Sequence, residues 1–144
     1  MDSDSELIAA LRATGRRVTM PRLAVHRHLR ESPRHVTAEQ VYAELAEQIP
    51  SLSAATVYDT LDLLDGLGLI RRVSTPRGAT TYDTRVEHHH HVICRACGRM
   101  EDLDAEVDTA GAEKAARAAG FAPAFAQLTV SGLCSACRAQ RRCN

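Results

Sequence analysis

The stretch SAATVYDTLDLLDGLGLIRRVST, residues 53–75, begins with helical spacing and ends in a β-branched, basic run. Ser53 is placed to cap a helix in which Val57, Leu61 and Leu64 form one apolar stripe, so its polar face is available for another task. LIRRVST (69–75) and ATTYDTRV (79–86) then flank Pro76-Arg77-Gly78, a hairpin signal with basic residues at its edges. Upstream, Leu7, Ile8 and Leu11 recur at helical spacing between Ser5 and Thr14, and Gly15 ends that helix. Thr19-Met20-Pro21 starts a second helix, with Ala24, Val25 and Leu29 apolar. Thr37 caps a third, TAEQVYAELAEQIP, where Thr37 and Gln40 have capping-box spacing and Pro50 closes the segment. Helices followed by a β-hairpin predict a winged helix-turn-helix, whose fourth helix enters the major groove while the wing follows the backbone. A small helical core with no DNA role uses the same pattern.

A second stretch, HHHHVICRAC (88–97), puts four histidines before a Cys-x-x-Cys pair in mid-chain. It leads into Val92 and Ile93, which argues for a strand and against a purification tag. Cys94 and Cys97 make one pair and Cys134 and Cys137 another, with thirty-six residues between. Each pair sets two sulfurs on one tight turn, and two such turns give the four-thiolate shell that Zn(II) prefers. A structural zinc is therefore expected, against a redox dithiol or buried free thiols. Cys143, one residue from the end, reads as a frayed free thiol. Around the cysteines the expected elements are the strands HVICR and MEDL, an Ala-rich helix from Ala105 to Ala119 ended by Gly120, and the strand AQLTVSGL. They form a small α+β module closed by zinc.

Composition narrows the classes further. At 144 residues and 44% hydrophobic, the chain holds one ordinary domain or two small ones, and with no Trp and two Phe its core must be aliphatic. No apolar run spans a membrane and the first residues lack the order of a secretory signal, so a cytoplasmic protein is expected. Net charge is zero, yet between Arg12 and Arg34 seven arginines face one acid, Glu31, which suits a phosphate-facing surface as well as a solvated helix. His26 and His28, two apart on a helix, face different ways and read as structural.

RRVTMPR (16–22), HVTAEQVY (35–42), SAATVYDTLDLL (53–64), HHHHVICRACG and GLCSAC, in this order and across nearly the whole chain, resemble the ferric uptake regulator family of metal-dependent bacterial repressors. The resemblance implies a winged-helix DNA-binding domain over residues 1–83 and a dimerisation and metal-binding domain over 84–144. It further implies a homodimer that binds AT-rich inverted repeats in double-stranded DNA when loaded with metal. The family's regulatory site falls on His35, Asp83, His89, His91 and Asp102. Period-two alternation independently puts His89 and His91 on one strand face and His88 and His90 on the other. Nitrogen and carboxylate donors suit Fe(II) or Mn(II), with zinc a competitor by affinity. Such an ion would clip the two domains together, favour the closed dimer and so favour DNA binding.

A second, less uniform site of the family would use His88 and His90 with Asp108 nearby, but the histidine expected eight residues before Cys134 is Ala126. DNA contacts carry over to Ala55, Thr56 and Tyr58 of the fourth helix and to Arg16, Arg17 and Arg22. Asp59, where relatives usually carry Arg or Asn, repels phosphate, so the resemblance does not carry over an operator sequence. Iron-sensing relatives commonly have Glu where this chain has Asp102 and peroxide-sensing ones have Asp, so the resemblance points to the peroxide-sensing branch. A plain iron or manganese uptake regulator is the alternative. A zinc enzyme or thiol oxidoreductase is the competing class. It is disfavoured because four cysteinates close the zinc shell and the Cys-x-x-Cys pairs lack a thioredoxin-like setting.

Overall fold

In the computed structural model, residues 3–31, 35–75 and 80–142 are described, so Arg34, the Pro76-Arg77-Gly78 turn and Cys143 lie outside the described residues. The chain divides into two compact units, Met1–Val86 and Glu87–Asn144. The first unit runs three residues past the boundary expected at 83. Asp83 Oδ1 accepts the Arg85 N–H at 2.8 Å, and the Arg71 guanidinium donates to the Val86 carbonyl at 2.5 Å.

The first unit comprises α1 (Ser3–Ala13), α2 (Met20–Glu31), β1 (His35–Thr37), α3 (Ala38–Gln48), α4 (Ala54–Gly66), β2 (Arg71–Ser74) and β3 (Thr80–Asp83). Gly15, at φ 69°, turns the chain out of α1 as expected of a C-cap glycine. Both predicted N-caps form. Thr37 Oγ1 accepts the Gln40 N–H while Gln40 Oε1 accepts the Thr37 N–H, and Ser53 Oγ accepts the Thr56 N–H at 3.1 Å. Val57, Leu61 and Leu64 are fully buried and meet Leu7, Leu11, Val25, Leu29 and Val41 in an aliphatic core. The other face of α4 is fastened to the wing, because the Tyr82 hydroxyl donates to Asp62 and the Arg72 N–H to Asp65.

Strand β1 is an addition to the sequence reading. Its three residues are too short to show a period, and it pairs with β3 rather than with a neighbour in sequence, giving the sheet order β1-β3-β2. The antiparallel register sets His35 opposite Asp83.

The second unit comprises β4 (His90–Cys94), β5 (Met100–Leu103), α5 (Ala110–Ala118), β6 (Thr129–Gly132) and α6 (Ser135–Arg142). Its sheet has the order β5-β4-β6, antiparallel on one side of β4 and parallel on the other, with α5 in the connection that the parallel pair requires. The Ala-rich helix starts at Ala110 instead of Ala105, since Asp108 Oδ1 accepts the Ala110 N–H at 3.0 Å and sets the first turn there. It ends at Ala118, and Gly120, at φ 91°, turns the chain away just beyond, where a glycine stop is expected. Helix α6, which starts inside the second cysteine pair, was not expected.

Candidate metal centres and nucleic-acid face

In the second unit the two Cys-x-x-Cys turns meet. Gly98, at φ 79°, lets the chain reverse after Cys97, and its N–H bonds the Cys94 carbonyl at 2.9 Å. Cys134 and Cys137 sit at the start of α6, where N–H groups are unspent. All four sulfurs lie within 4.8 Å of one another, and Cys97 Sγ is 3.8 Å from Cys134 Sγ. A tetrahedron with Zn–S bonds of about 2.3 Å has edges of about 3.8 Å, so the donor set and spacing suit a structural zinc. The cluster is also electrostatically prepared. The N–H of Cys134 beside Cys94 Sγ, joined by those of Cys97 and Ala96, holds the Cys94 thiol down at about 5. Cys137, facing the sulfurs of Cys134 and Cys94, is pushed up to about 12, as expected where several thiolates crowd without a cation.

A second group of donors lies on the same sheet, away from the sulfurs in register. His89 and His91 are buried and His88 is exposed, as period-two alternation requires. The β4–β5 register pairs His91 with Asp102. Asp102 Oδ1 then lies 3.0 Å from His89 Nε2 and 3.8 Å from His91 Nε2. His89 Nδ1 lies 2.6 Å from the Glu87 carbonyl, which can only accept, so Nδ1 carries a proton and Nε2 is the nitrogen turned to the carboxylate. There it is placed to share a proton with Asp102 or to bind a cation beside it. Two imidazoles and one carboxylate fit a hard or borderline divalent ion and leave its shell incomplete.

In the first unit the β1–β3 register brings His35 Nε2 to 3.1 Å from Asp83 Oδ2. Asp83 is wholly buried, and a buried carboxylate is tolerated only with partners, here including the Arg85 N–H. This is a second nitrogen-and-oxygen donor pair.

His88 and His90 are engaged otherwise. His88 stacks on Phe125 with ring centroids 3.5 Å apart, and His90 Nδ1 accepts the Leu128 N–H at 2.9 Å. Asp108 caps the start of α5. Among the described residues neither histidine belongs to a cluster of three or more metal-binding groups.

On the first unit, Ala55 and Tyr58 are exposed on α4, and Thr56 is half-buried with its hydroxyl 2.8 Å from Ser53 Oγ. Arg16 and Arg17 are exposed in the α1–α2 turn, whereas Arg22 donates to the Arg17 carbonyl at 2.5 Å and braces that turn. Two further arginines of the basic run are neutralised from α1, Arg27 by Asp4 and Arg30 by Glu6. Those acids lie outside the window in which the sequence shows an excess of positive charge. Sequence reading also missed Glu39, whose carboxylate accepts the Tyr58 hydroxyl at 2.5 Å. That bond raises the phenol's pKa and lowers the carboxyl's, keeping Tyr58 a neutral donor.

Among the described residues no helix is long and apolar enough to cross a membrane. The chain is similar to ferric uptake regulation protein 1 of Mycolicibacterium fortuitum, 42% identical over 112 residues, 77% of this chain and 69% of that one. It is similar also to the peroxide-responsive repressor PerR of Staphylococcus epidermidis, 29% identical over 133 residues, 92% of this chain and 89% of that one. The fold matches the ferric uptake regulator of Pseudomonas aeruginosa solved with manganese, with a TM-score of 0.70 and 27% identity over 94% of this chain and 99% of that one. The profile of the ferric uptake regulator family matches residues 13–131. With a winged-helix unit, a four-cysteine cluster and a separate group of histidine and aspartate donors, the chain belongs to the ferric uptake regulator family, whose members are metal-responsive, DNA-binding transcription regulators rather than enzymes.

Proposed function

We propose that the protein is a homodimeric repressor that binds an AT-rich inverted repeat when its regulatory ion is in place, and that it senses peroxide. The reading is carried by Asp102, whose single oxygen faces the Nε2 atoms of both His89 and His91. Those three groups supply about half of the donors of an octahedral Fe(II) or Mn(II) shell, and His35 with Asp83 supplies a complementary pair. Sharing one ion between the two sets would fix the winged helices of a dimer at the spacing of successive major grooves, and losing it would release DNA. Exposed Arg16 and Arg17 would meet phosphates and Ala55 and Tyr58 base edges, with Arg22 and Thr56 holding their neighbours in place. Cys94, Cys97, Cys134 and Cys137 would hold zinc in all states.

Aspartate reaches one bond less far than glutamate and would leave room for peroxide beside an ion held by His89, His91 and Asp102. Fe(II), when bound, would activate peroxide for cleavage of its O–O bond. One oxygen would replace the hydrogen on a ring carbon of His35 or His89, and that hydrogen would leave with the other oxygen as water, so the ring loses the two electrons that peroxide gains. The ring so altered is a poorer ligand, and the clip opens. The relative named a peroxide-responsive repressor supports this reading, while the one named a ferric uptake regulation protein favours an iron or manganese uptake regulator without peroxide sensing.

The test is mass spectrometry of the Fe(II)-loaded protein after a low dose of peroxide, with operator binding followed in parallel. One added oxygen on His35 or His89, together with release of DNA, is expected, and the Mn(II) form should bind DNA and resist. Release without that oxygen would move the sensing to the cysteines, and no release would establish the uptake regulator.

A further inference from the structure

The two histidines facing Asp102 are held from behind in different ways. His89 Nδ1 is fixed by a backbone carbonyl, which accepts and can do nothing else. His91 Nδ1 is met at 3.0 Å by the side-chain amide of Gln127, whose nitrogen donates to it. The contact is built into the sheet, because the next residue is tied to β4 on both sides. The His91 N–H donates to the Leu128 carbonyl at 3.0 Å, and the Leu128 N–H donates to His90 Nδ1. His91 is wholly buried, whereas Gln127 is exposed, so the amide reaches the ring from the surface.

We infer that Gln127 is a positioning residue for the regulatory ion, acting through the tautomer of His91. This rests on the proposal that His91 is a ligand. With the Gln127 NH2 donating to Nδ1, the neutral ring carries its proton on Nε2, the nitrogen that faces Asp102. An ion at Nε2 needs a lone pair there, so the proton must move to Nδ1. The amide then turns by half a rotation and its oxygen accepts the new N–H. Glutamine alone among side chains of this shape and charge offers both a donor and an acceptor, so it holds the ring in the metal-free and the loaded protein. A carboxylate would accept only, fixing the ligating tautomer in advance. An aliphatic side chain would hold neither. Partners of this kind behind a ligating histidine typically change metal affinity by about 10–100-fold.

The experiment uses the full-length, zinc-loaded protein without regulatory metal. The 15N shifts of the His91 ring report the tautomer, and titration with Mn(II), followed by the resonance of the free ion, gives affinity. Wild type should carry the proton on Nε2. Gln127→Glu should move it to Nδ1 and bind Mn(II) more tightly. Gln127→Leu should show a mixture and bind about 10–100-fold more weakly, with one zinc per chain retained in both. His91→Ala separates the two claims. If it leaves Mn(II) affinity unchanged, His91 is not a ligand and the inference falls with that reading. If it abolishes binding while Gln127→Leu stays within twofold of wild type with an unchanged tautomer, the positioning role alone is overturned.

Discussion

The two units of this chain are held together by different physics. In the first, every member of the buried apolar cluster lies between Leu7 and Tyr82, drawn from four helices, two strands and the connections at Leu52 and Ile70. In the second, the only buried positions among the described residues are His89, His91, Ile93 and Cys94. Helix α5 buries nothing, and Phe121, Phe125, Leu128 and Val130 are exposed. One unit folds on aliphatic area removed from water. The other has too little, and must rely on metal and on a partner surface.

The largest test of that contrast is removal of zinc. Structural zinc contributes about 10–16 kcal/mol in small metal-dependent modules, far more than β4–β6 can bury. Cys134→Ser, or chelation, should abolish amide-exchange protection in β4, β5 and β6 and break the dimer, with protection in α2 and α4 kept. Equal loss in both units would show that they do not fold separately.

The reciprocal test empties the first core. Leu61 is fully buried at the centre of the α4 stripe. Leu61→Ala should cost about 2–5 kcal/mol in urea unfolding of the winged-helix unit, while zinc stays at one per chain. A milder version acts at the surface. Thr37→Ala removes one half of the capping box that Gln40 completes, and should cost about 1 kcal/mol and lower operator affinity only through stability. Affinity that falls at saturating stability would give Thr37 a direct contact instead.

What could be read from the sequence follows the same division. The helices of the first unit announce themselves because their caps and stripes are local: Thr37, Ser53, Val57 and Leu64 each act within one or two turns. Strand β1 was silent, since three residues carry no period and its partner lies 48 positions away, although that pairing is what joins His35 to Asp83. The cysteines were legible by spacing, and His89 and His91 by alternation. Gln127 and Glu39 were not, because each acts on a residue of another element through one hydrogen bond, which leaves no pattern in the chain. Charge counted over a window misled where α1 folds back, for Asp4 and Glu6 silence Arg27 and Arg30. Helix α6 escaped because it is short and its apolar side chains, Ala136, Cys137 and Ala139, are too small to announce a core-facing stripe.

The smallest expected effect concerns His26, the one histidine buried in the aliphatic unit, at 4% exposure. Burial lowers its pKa from the ordinary 6.5, and the nearby Arg30 adds to this, while Glu6 and Asp4 oppose it. The unfolded chain therefore takes up a proton near the ordinary value, and the folded chain does so only at lower pH. Between the two, the unfolded state binds more protons, so stability rises with pH and is lost as pH falls from about 6.5 towards the folded value. The slope cannot exceed one proton's worth, about 1.4 kcal/mol per pH unit, and it vanishes below the folded pKa. His26→Asn removes the titrating group and should flatten the stability of the winged-helix unit against wild type between pH 7 and 5, whatever its absolute cost. Parallel curves for the two proteins would mean that the ring is not kept neutral by the core. A metal-saturated sample should show the His26 difference unchanged, since the effect belongs to the winged-helix core.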